Sequence, residues 1–303
     1  MRVVAAESSL GSGALRRFPR YGLAGLAIVL FGEILLAAPV YIIGVYFTPI
    51  QWTGYILLVD AAIFYRSGSS LISSRRKEFL AMLPWSVACW LIFEAYNLRL
   101  HNWSYVGLPE NAVFRNIGYA WSFATIFPAV LETAELIALL VSPGAKSLNG
   151  GTAAAASMQF RGGPWSIVSI LLGVLCLAVP LVVPESLAAK MFGLVWIGFV
   201  FLLDPLNALV GGRALFARDG VANPALMFAL GASGLVCGIL WEFWNYWAIA
   251  KWIYTVPISF AGPKLFEMPL LGFLGFIPFA LECYVMQQFL LSLVPSISSG
   301  LPA

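Results

Sequence analysis

Eight long apolar runs leave this chain few places to fold outside a lipid bilayer. They lie at about 21–47, 50–65, 79–97, 116–142, 164–183, 188–210, 223–249 and 268–294. Most reach the roughly 20 residues that a helix needs to cross the hydrocarbon core. The second is the weakest, because it is short and Asp60 interrupts it. A soluble fold needs a charged surface, with about 25% Asp, Glu, Lys and Arg overall. Here 10% of the 303 residues are charged and 61% are hydrophobic, and the mean hydropathy is +0.89. The expected fold class is all-α, a polytopic transmembrane helical bundle of about eight spans.

Charge placement orients the expected bundle. With the N-terminus inside, the cytoplasmic segments hold Arg2, Arg16, Arg17, Arg20, Arg66, Arg75, Arg76, Lys77, Lys146, Arg161, Arg213 and Arg218. The outer segments hold Arg99, Arg115, Lys190, Lys251 and Lys264. That asymmetry is the positive-inside bias and implies a multi-pass protein of the cell inner membrane with both termini cytoplasmic. Arg16, Arg17 and Arg20 precede an apolar run too long for a signal peptide, so an uncleaved first helix is expected. The reading divides into a cytoplasmic segment 1–20, a first repeat 21–142, a Gly/Ala/Ser-rich linker 143–163 and a second repeat 164–303.

The repeat itself rests on polar residues kept in register. Trp52 to Asp60 (WTGYILLVD) matches Trp196 to Asp204 (WIGFVFLLD) at an offset of 144. Phe93-Glu94-Ala-Tyr-Asn97 matches Trp241-Glu242-Phe-Trp-Asn245 at 148, each followed by Trp-x-Tyr at Trp103–Tyr105 and Trp252–Tyr254. Phe127-Pro128-Ala-Val-Leu-Glu132 matches Ile277-Pro278-Phe-Ala-Leu-Glu282 at 150. An even number of spans per half makes these two parallel four-helix repeats about an axis along the membrane normal.

Of the fourteen carboxylates, eight fall in spans: Glu33, Asp60, Glu94, Glu132, Glu135, Asp204, Glu242 and Glu282. An ionised acid at bilayer depth costs at least ~2.5 kcal/mol, and no Lys or Arg stands at mid-membrane to offset it. Such acids are expected to face a protein interior, where a neutral carboxyl is a proton donor. Glu94 with Asn97, and Glu242 with Asn245, share a helix face, so each amide is expected to orient its carboxyl. Pro128 and Pro278 stand four residues before Glu132 and Glu282, and a carbonyl freed by each proline is expected to accept from the glutamate. The same residues could instead act only as glue between helices. Asp60 and Asp204 are secondary, with a kink cap or a pairing to Arg66 and Arg213 as the simpler roles. Glu33 and Glu135 lack repeat partners.

Trp85, Trp90, Trp103, Tyr105, Trp121, Trp241, Trp244, Trp247, Trp252 and Tyr254 belong near the outer face. Aromatic belts put such residues there routinely. The alternative is a π-lined pocket beside Glu94 and Glu242, in which Trp103, Tyr105, Trp241, Trp244, Trp252 and Tyr254 bind a substrate and stabilise a cation. His101 is the lone histidine, on an outer loop, and Cys89, Cys176, Cys237 and Cys283 read as buried small residues. No metal or cofactor site is expected, and no zinc spacing, phosphate loop or basic-aromatic tract points to nucleic acid.

Through Trp241-Glu-Phe-Trp-Asn-Tyr246, Trp252-Ile-Tyr254 and Gly275-Phe-Ile-Pro278-Phe-Ala-Leu-Glu282, the chain resembles the membrane-embedded lycopene cyclase domain family. The first half echoes it at Phe93–Asn97, Trp103–Tyr105 and Pro128–Glu132. The likeness covers about 45 residues per half. It departs where the family has Pro-x-Glu-Glu and about three spans per half. The resemblance implies redox-neutral cyclisation or isomerisation of a lipophilic isoprenoid or carotenoid by carboxylic-acid proton transfer, with Glu94, Glu242, Glu132 and Glu282 as acids and bases. A proton- or cation-coupled transporter and a noncatalytic membrane subunit are the alternatives.

Overall fold

The computed structural model describes residues 17–38, 40–141, 163–216, 223–256 and 263–298. Most of the N-terminal segment 1–20 and of the linker 143–163, with Arg2, Arg16, Lys146, Arg161 and Arg218, lies outside them. The described chain is an all-α bundle in which eight helical stretches are long and apolar enough to cross a membrane. The first half contains α1 (Arg20–Ala37), a short α2 (Tyr41–Val45), α3 (Phe47–Ser67), α4 (Arg76–Leu100), strand β1 (Trp103–Val106), α5 (Ala112–Ala124) and α6 (Ile126–Val141). The second contains α7 (Pro164–Val182), a short α8 (Glu185–Ala188), α9 (Phe192–Leu209), α10 (Pro224–Trp247), β2 (Lys251–Tyr254), β3 (Lys264–Leu265), β4 (Met268–Pro269), a 3-10 turn (Leu270–Gly275), α11 (Phe276–Leu293) and a terminal α12 (Pro295–Ser298).

Several boundaries differ from the expected spans. The run at 21–47 is not one helix. Ala38 precedes a proline in the sequence and is extended, at φ −84° and ψ 121°, because a residue before proline is pushed out of the helical region. The weak second run is a full helix that starts at Phe47, and Asp60 lies fully buried in it. The fourth span of each half is broken. In the first half α5 gives way to α6 at Thr125; in the second a 3-10 turn precedes α11. Pro128 and Pro278 therefore sit in the first turns of α6 and α11, where a missing N–H costs no helical hydrogen bond. In the first half Ser86 of α4 stitches the break, its Oγ donating to Phe123 O and accepting from Phe127 N.

Helix packing repeats as well. α1 lies along α3 as α7 lies along α9. A Cβ on Gly25 would stand 2.5 Å from the Gly54 carbonyl oxygen, and one on Gly173 would stand 2.8 Å from that of Gly198. Small residues thus allow the backbone contact that holds membrane helices together where lipid gives no hydrophobic drive. The opposite face of α1 shows Leu23, Leu30, Phe31 and Ile34 outward, as a lipid-facing surface should.

The halves meet in a two-stranded antiparallel ladder. Trp103 pairs with Tyr254, Ser104 with Ile253 and Tyr105 with Trp252. Since Trp103 corresponds to Trp252 and Tyr105 to Tyr254, the register is self-symmetric about Ser104 and Ile253. That is the geometry of two parallel repeats facing each other across a pseudo-two-fold axis. We call this the ladder end; the opposite end carries Arg66, Arg75, Arg76, Lys77 and Arg213 and is called the basic end.

Candidate active site

The site is built around the two ladder strands. After Leu100 the chain turns through His101, in the left-handed region at φ 53°, into β1. Asn97 clamps that strand. Its Nδ2 donates to Trp103 O at 2.9 Å, and its Oδ1 accepts from Asn102 N at 2.8 Å and Trp103 N at 3.2 Å. Asn245 repeats the clamp on Trp252, donating to its carbonyl at 2.9 Å and accepting from its N–H at 3.0 Å. The expectation that each amide orients its neighbouring carboxyl is corrected: both asparagines are occupied by strand backbone, whose buried N–H and C=O groups need partners.

The clamped strands bring their aromatic donors to the acids. Glu94 Oε1 accepts from Trp90 Nε1 at 2.8 Å, Trp103 Nε1 at 3.1 Å and Tyr105 Oη at 2.5 Å. Glu242 Oε1 accepts from Tyr254 Oη at 2.6 Å, and Trp252 Nε1 donates to that same Oη at 2.9 Å. Glu242 is fully buried, and its Oε2 has no hydrogen-bond partner among the described residues. Where the first half has Trp90 the second has Gly238, and a Cβ there would lie 2.3 Å from the Phe276 ring. Tyr105 and Tyr254 sit outside the helices. Burial, and then the adjacent Glu94 or Glu242, holds each phenol well above its ordinary range. Both therefore remain hydroxyl donors.

In front of these groups lies a cavity of about 150 Å³. Trp90, Trp103, Tyr105, Trp241, Trp252 and Tyr254 line it, together with rings that include Phe93, Tyr119, Phe123, Phe192, Trp196, Phe276 and Phe279. Both broken spans contribute wall, which is the setting in which interrupted helices are tolerated inside a membrane. Phe279 joins the halves, its ring centroid 6.1 Å from Trp90 and 5.9 Å from Trp241. Two cations reach the lining, Arg115 and Lys251. Arg115 is held by the carbonyls of Pro109 and Glu110, and Lys251 is paired to Glu267 at 3.0 Å. The glutamates are not themselves in the wall; Glu94 and Glu242 stand one side chain behind it.

Of the six aromatic residues expected to bind substrate, five line this cavity and Trp244 does not. Trp244 turns toward α1 and α3, donating to Glu33 Oε1 at 3.0 Å and packing edge-on against Trp52 at 4.9 Å. Glu132 and Glu282 lie deep in the bundle, 1% and 0% exposed. Their carboxyl oxygens have no hydrogen-bond partner among the described residues, so the expected bond to a proline-freed carbonyl is not made. They line no wall of the cavity. Glu135, expected to lack a cation, pairs with Arg75 at 2.6 Å. Asp60 and Asp204 anchor loops. Ile72 N donates to Asp60 Oδ2 at 2.8 Å, and Phe216 N to Asp204 Oδ2 at 3.3 Å, each twelve residues on. His101, on the surface, has its Nε2 3.0 Å from Glu185 Oε1.

Sequence reasoning missed Trp90 as a donor to Glu94, although the i, i+4 spacing placed both on one helix face. It also missed the phenylalanines of α11 and the broken spans, of which the first is marked by Ser122 and Thr125. No family model matches this sequence, no curated protein matches it, and no solved structure matches the fold.

Proposed function

We propose that this integral membrane protein is an acid–base enzyme that cyclises or isomerises a linear isoprenoid polyene, with Glu242 as proton donor and Glu94 as proton acceptor. One observation carries the reading: two symmetry-related carboxyls, each hydrogen-bonded to a tyrosine in the wall of one aromatic cavity, differ in how they are solvated. Three donors surround Glu94 Oε1, an arrangement that supports a carboxylate. Glu242 accepts from Tyr254, has Trp252 as a second, more distant donor, and keeps a buried, unpartnered oxygen, an arrangement that supports a carboxylic acid.

A protonated Glu242 reverses its bond to Tyr254, donating to Oη and freeing the phenol proton toward the cavity. That proton adds to a terminal alkene carbon, and the Glu242 proton replaces it on Tyr254. The carbocation lies against the ring faces of Trp90, Trp241 and Trp252, whose quadrupoles attract it, and an internal double bond closes on it. Loss of a ring proton through Tyr105 to Glu94 leaves a neutral product, and exchange with water reprotonates Glu242 and deprotonates Glu94 before the next turnover. One proton enters the substrate and one leaves, so the product is an isomer. A dry cavity of 150 Å³ is known to accommodate a six-carbon ring, so the site fits one end group of a polyene, with the rest of the chain in lipid. The basic end would face the cytoplasm.

Purified protein in lipid nanodiscs, given linear polyenes in D2O, is expected to yield a product of altered retention carrying one deuterium. No product from the wild type, or equal product from Glu242→Gln, overturns the reading. Solute uptake that collapses with the proton gradient would favour the transporter instead.

A further inference from the structure

A second group of polar side chains, at the other end of the molecule, has no part in that chemistry. It begins at Ser74, exposed in the loop between α3 and α4. Ser74 Oγ lies 3.2 Å from Ser73 Oγ, and Ser73 Oγ lies 2.7 Å from Ser70 Oγ; in both contacts either hydroxyl can donate. Ser70, fully buried, donates to Asp60 Oδ1 at 2.8 Å, where Tyr21 Oη also donates at 2.6 Å. Beyond Asp60, deeper in the bundle, stands Glu132. It is 1% exposed and both its oxygens lack a hydrogen-bond partner among the described residues. Asp60 stands on α3 and Glu132 on α6, helices packed against each other and joined by Tyr55 Oη at 2.8 Å from Thr133 Oγ1, and the two acids interact electrostatically. From α10, Cys237 approaches through Thr133, with Sγ to Oγ1 at 3.4 Å.

Hydroxyls relay protons because each both accepts and donates, and backbone N–H groups only donate. Among the described residues the second half has no such relay. Asp204 is held by the N–H groups of Leu215 and Phe216, and its loop reads Gly211-Gly-Arg-Ala-Leu215, without a hydroxyl. A hydrogen-bonded file of hydroxyls that ends on a buried carboxyl, Asp60, is costly to keep in lipid, and among the described residues only the first repeat has it.

We propose that Ser74, Ser73, Ser70 and Asp60 form a proton path that connects Glu132, in the middle of the bundle, with the water at the basic end. A proton arriving at Ser74 displaces one along the hydroxyls, Ser70 gives its own to Asp60 Oδ1, and Asp60 passes it across to Glu132. Rotation of the hydroxyls resets the file, and nothing is oxidised or consumed. The inference does not depend on the polyene reading.

A hydrophobic carbodiimide, to which protonated carboxyls within membranes add to give a stable N-acylurea, reads the state of Glu132. In sealed proteoliposomes of known orientation, peptide mass mapping is expected to find the adduct on Glu132 and to lose it in Glu132→Gln. Labelling is expected to follow the pH of the compartment bathing Lys77 and to ignore the pH on the ladder side. After a pH jump, Ser70→Ala, confirmed folded by a monodisperse elution profile, is expected to respond about tenfold more slowly or worse, and Ser70→Thr to respond as wild type. An unlabelled Glu132, labelling that tracks the ladder-side pH, or an unslowed Ser70→Ala overturns the proposal.

Discussion

Glu94 and Glu242 occupy the same place in the two halves, yet one is wrapped by three donors and the other is left with a bare oxygen. Asp60 and Asp204 also correspond, and both hold the loop that follows them. Hydroxyls reach Asp60, whereas Asp204 receives two backbone N–H groups. In each case the backbone plan is duplicated and the hydrogen bonding around the acid is not. Positions that set geometry stayed paired: the asparagine clamps, the close glycine contacts and the aspartate anchors. Positions that solvate an acid diverged: Trp90 against Gly238, and the serine loop against Gly211–Leu215. A duplicated fold with unequal halves can give one acid and one base where strict symmetry would give two of the same.

Breaking the acids tests that contrast most severely. Glu242→Gln is expected to lower polyene turnover by a factor of about 10² or more, the scale of a lost general acid, measured by product formation in nanodiscs. Glu94→Gln should lose as much turnover but leave deuterium exchange into the substrate detectable, because protonation precedes the step it performs; identical behaviour of the two variants would mean that the halves are interchangeable.

The clamps come next. Asn245→Ala leaves a strand N–H and a C=O of Trp252 without partners and is expected to cost about 2–3 kcal/mol. Asn97→Ala also frees Asn102 N and should cost roughly 1 kcal/mol more. Thermal unfolding in detergent measures both, and a reversed order would show that the first-half clamp is the dispensable one. Gly25→Ala and Gly173→Ala each push a Cβ against backbone and should cost about 2 kcal/mol apiece; a large difference in the same melts would break the structural equivalence of the halves. The smallest effect belongs to Trp90→Phe. It removes one of three donors to Glu94, costs about 1 kcal/mol, and makes the environment of Glu94 resemble that of Glu242. Its readout is the ratio of Glu94-dependent to Glu242-dependent steps in the same deuterium assay.

The apolar runs and the polar register were enough to read the bundle and the pairing of its halves. The site was only partly legible. Glu94, Glu242 and the Trp-x-Tyr strands converge as their spacing implied, because a helix end and a strand a few residues away must lie close. The role of the asparagines was hidden, since Glu and Asn three apart share a face whether or not they touch. Trp241 and Trp244 show the same limit: they are three residues apart on α10, yet one faces the cavity and the other faces α1 and α3, because α10 is packed on two sides. The prolines misled differently. Periodicity marks Pro128 and Pro278 but does not say whether a helix bends at them or begins just before them. Arg75 was read as a loop cation and reaches Glu135 because its side chain is long enough to fold back along α6.

The ladder between the halves limits how the molecule can move. Paired backbone from Trp103–Val106 and Lys251–Tyr254 fastens the two repeats at one edge of the membrane like a hinge pin, while further in they meet through helix faces and side-chain bonds such as Trp85 Nε1 to Met286 O. Any separation of the repeats must splay the basic end and leave the aromatic chamber shut, so a long apolar guest would have to slip in sideways from the lipid.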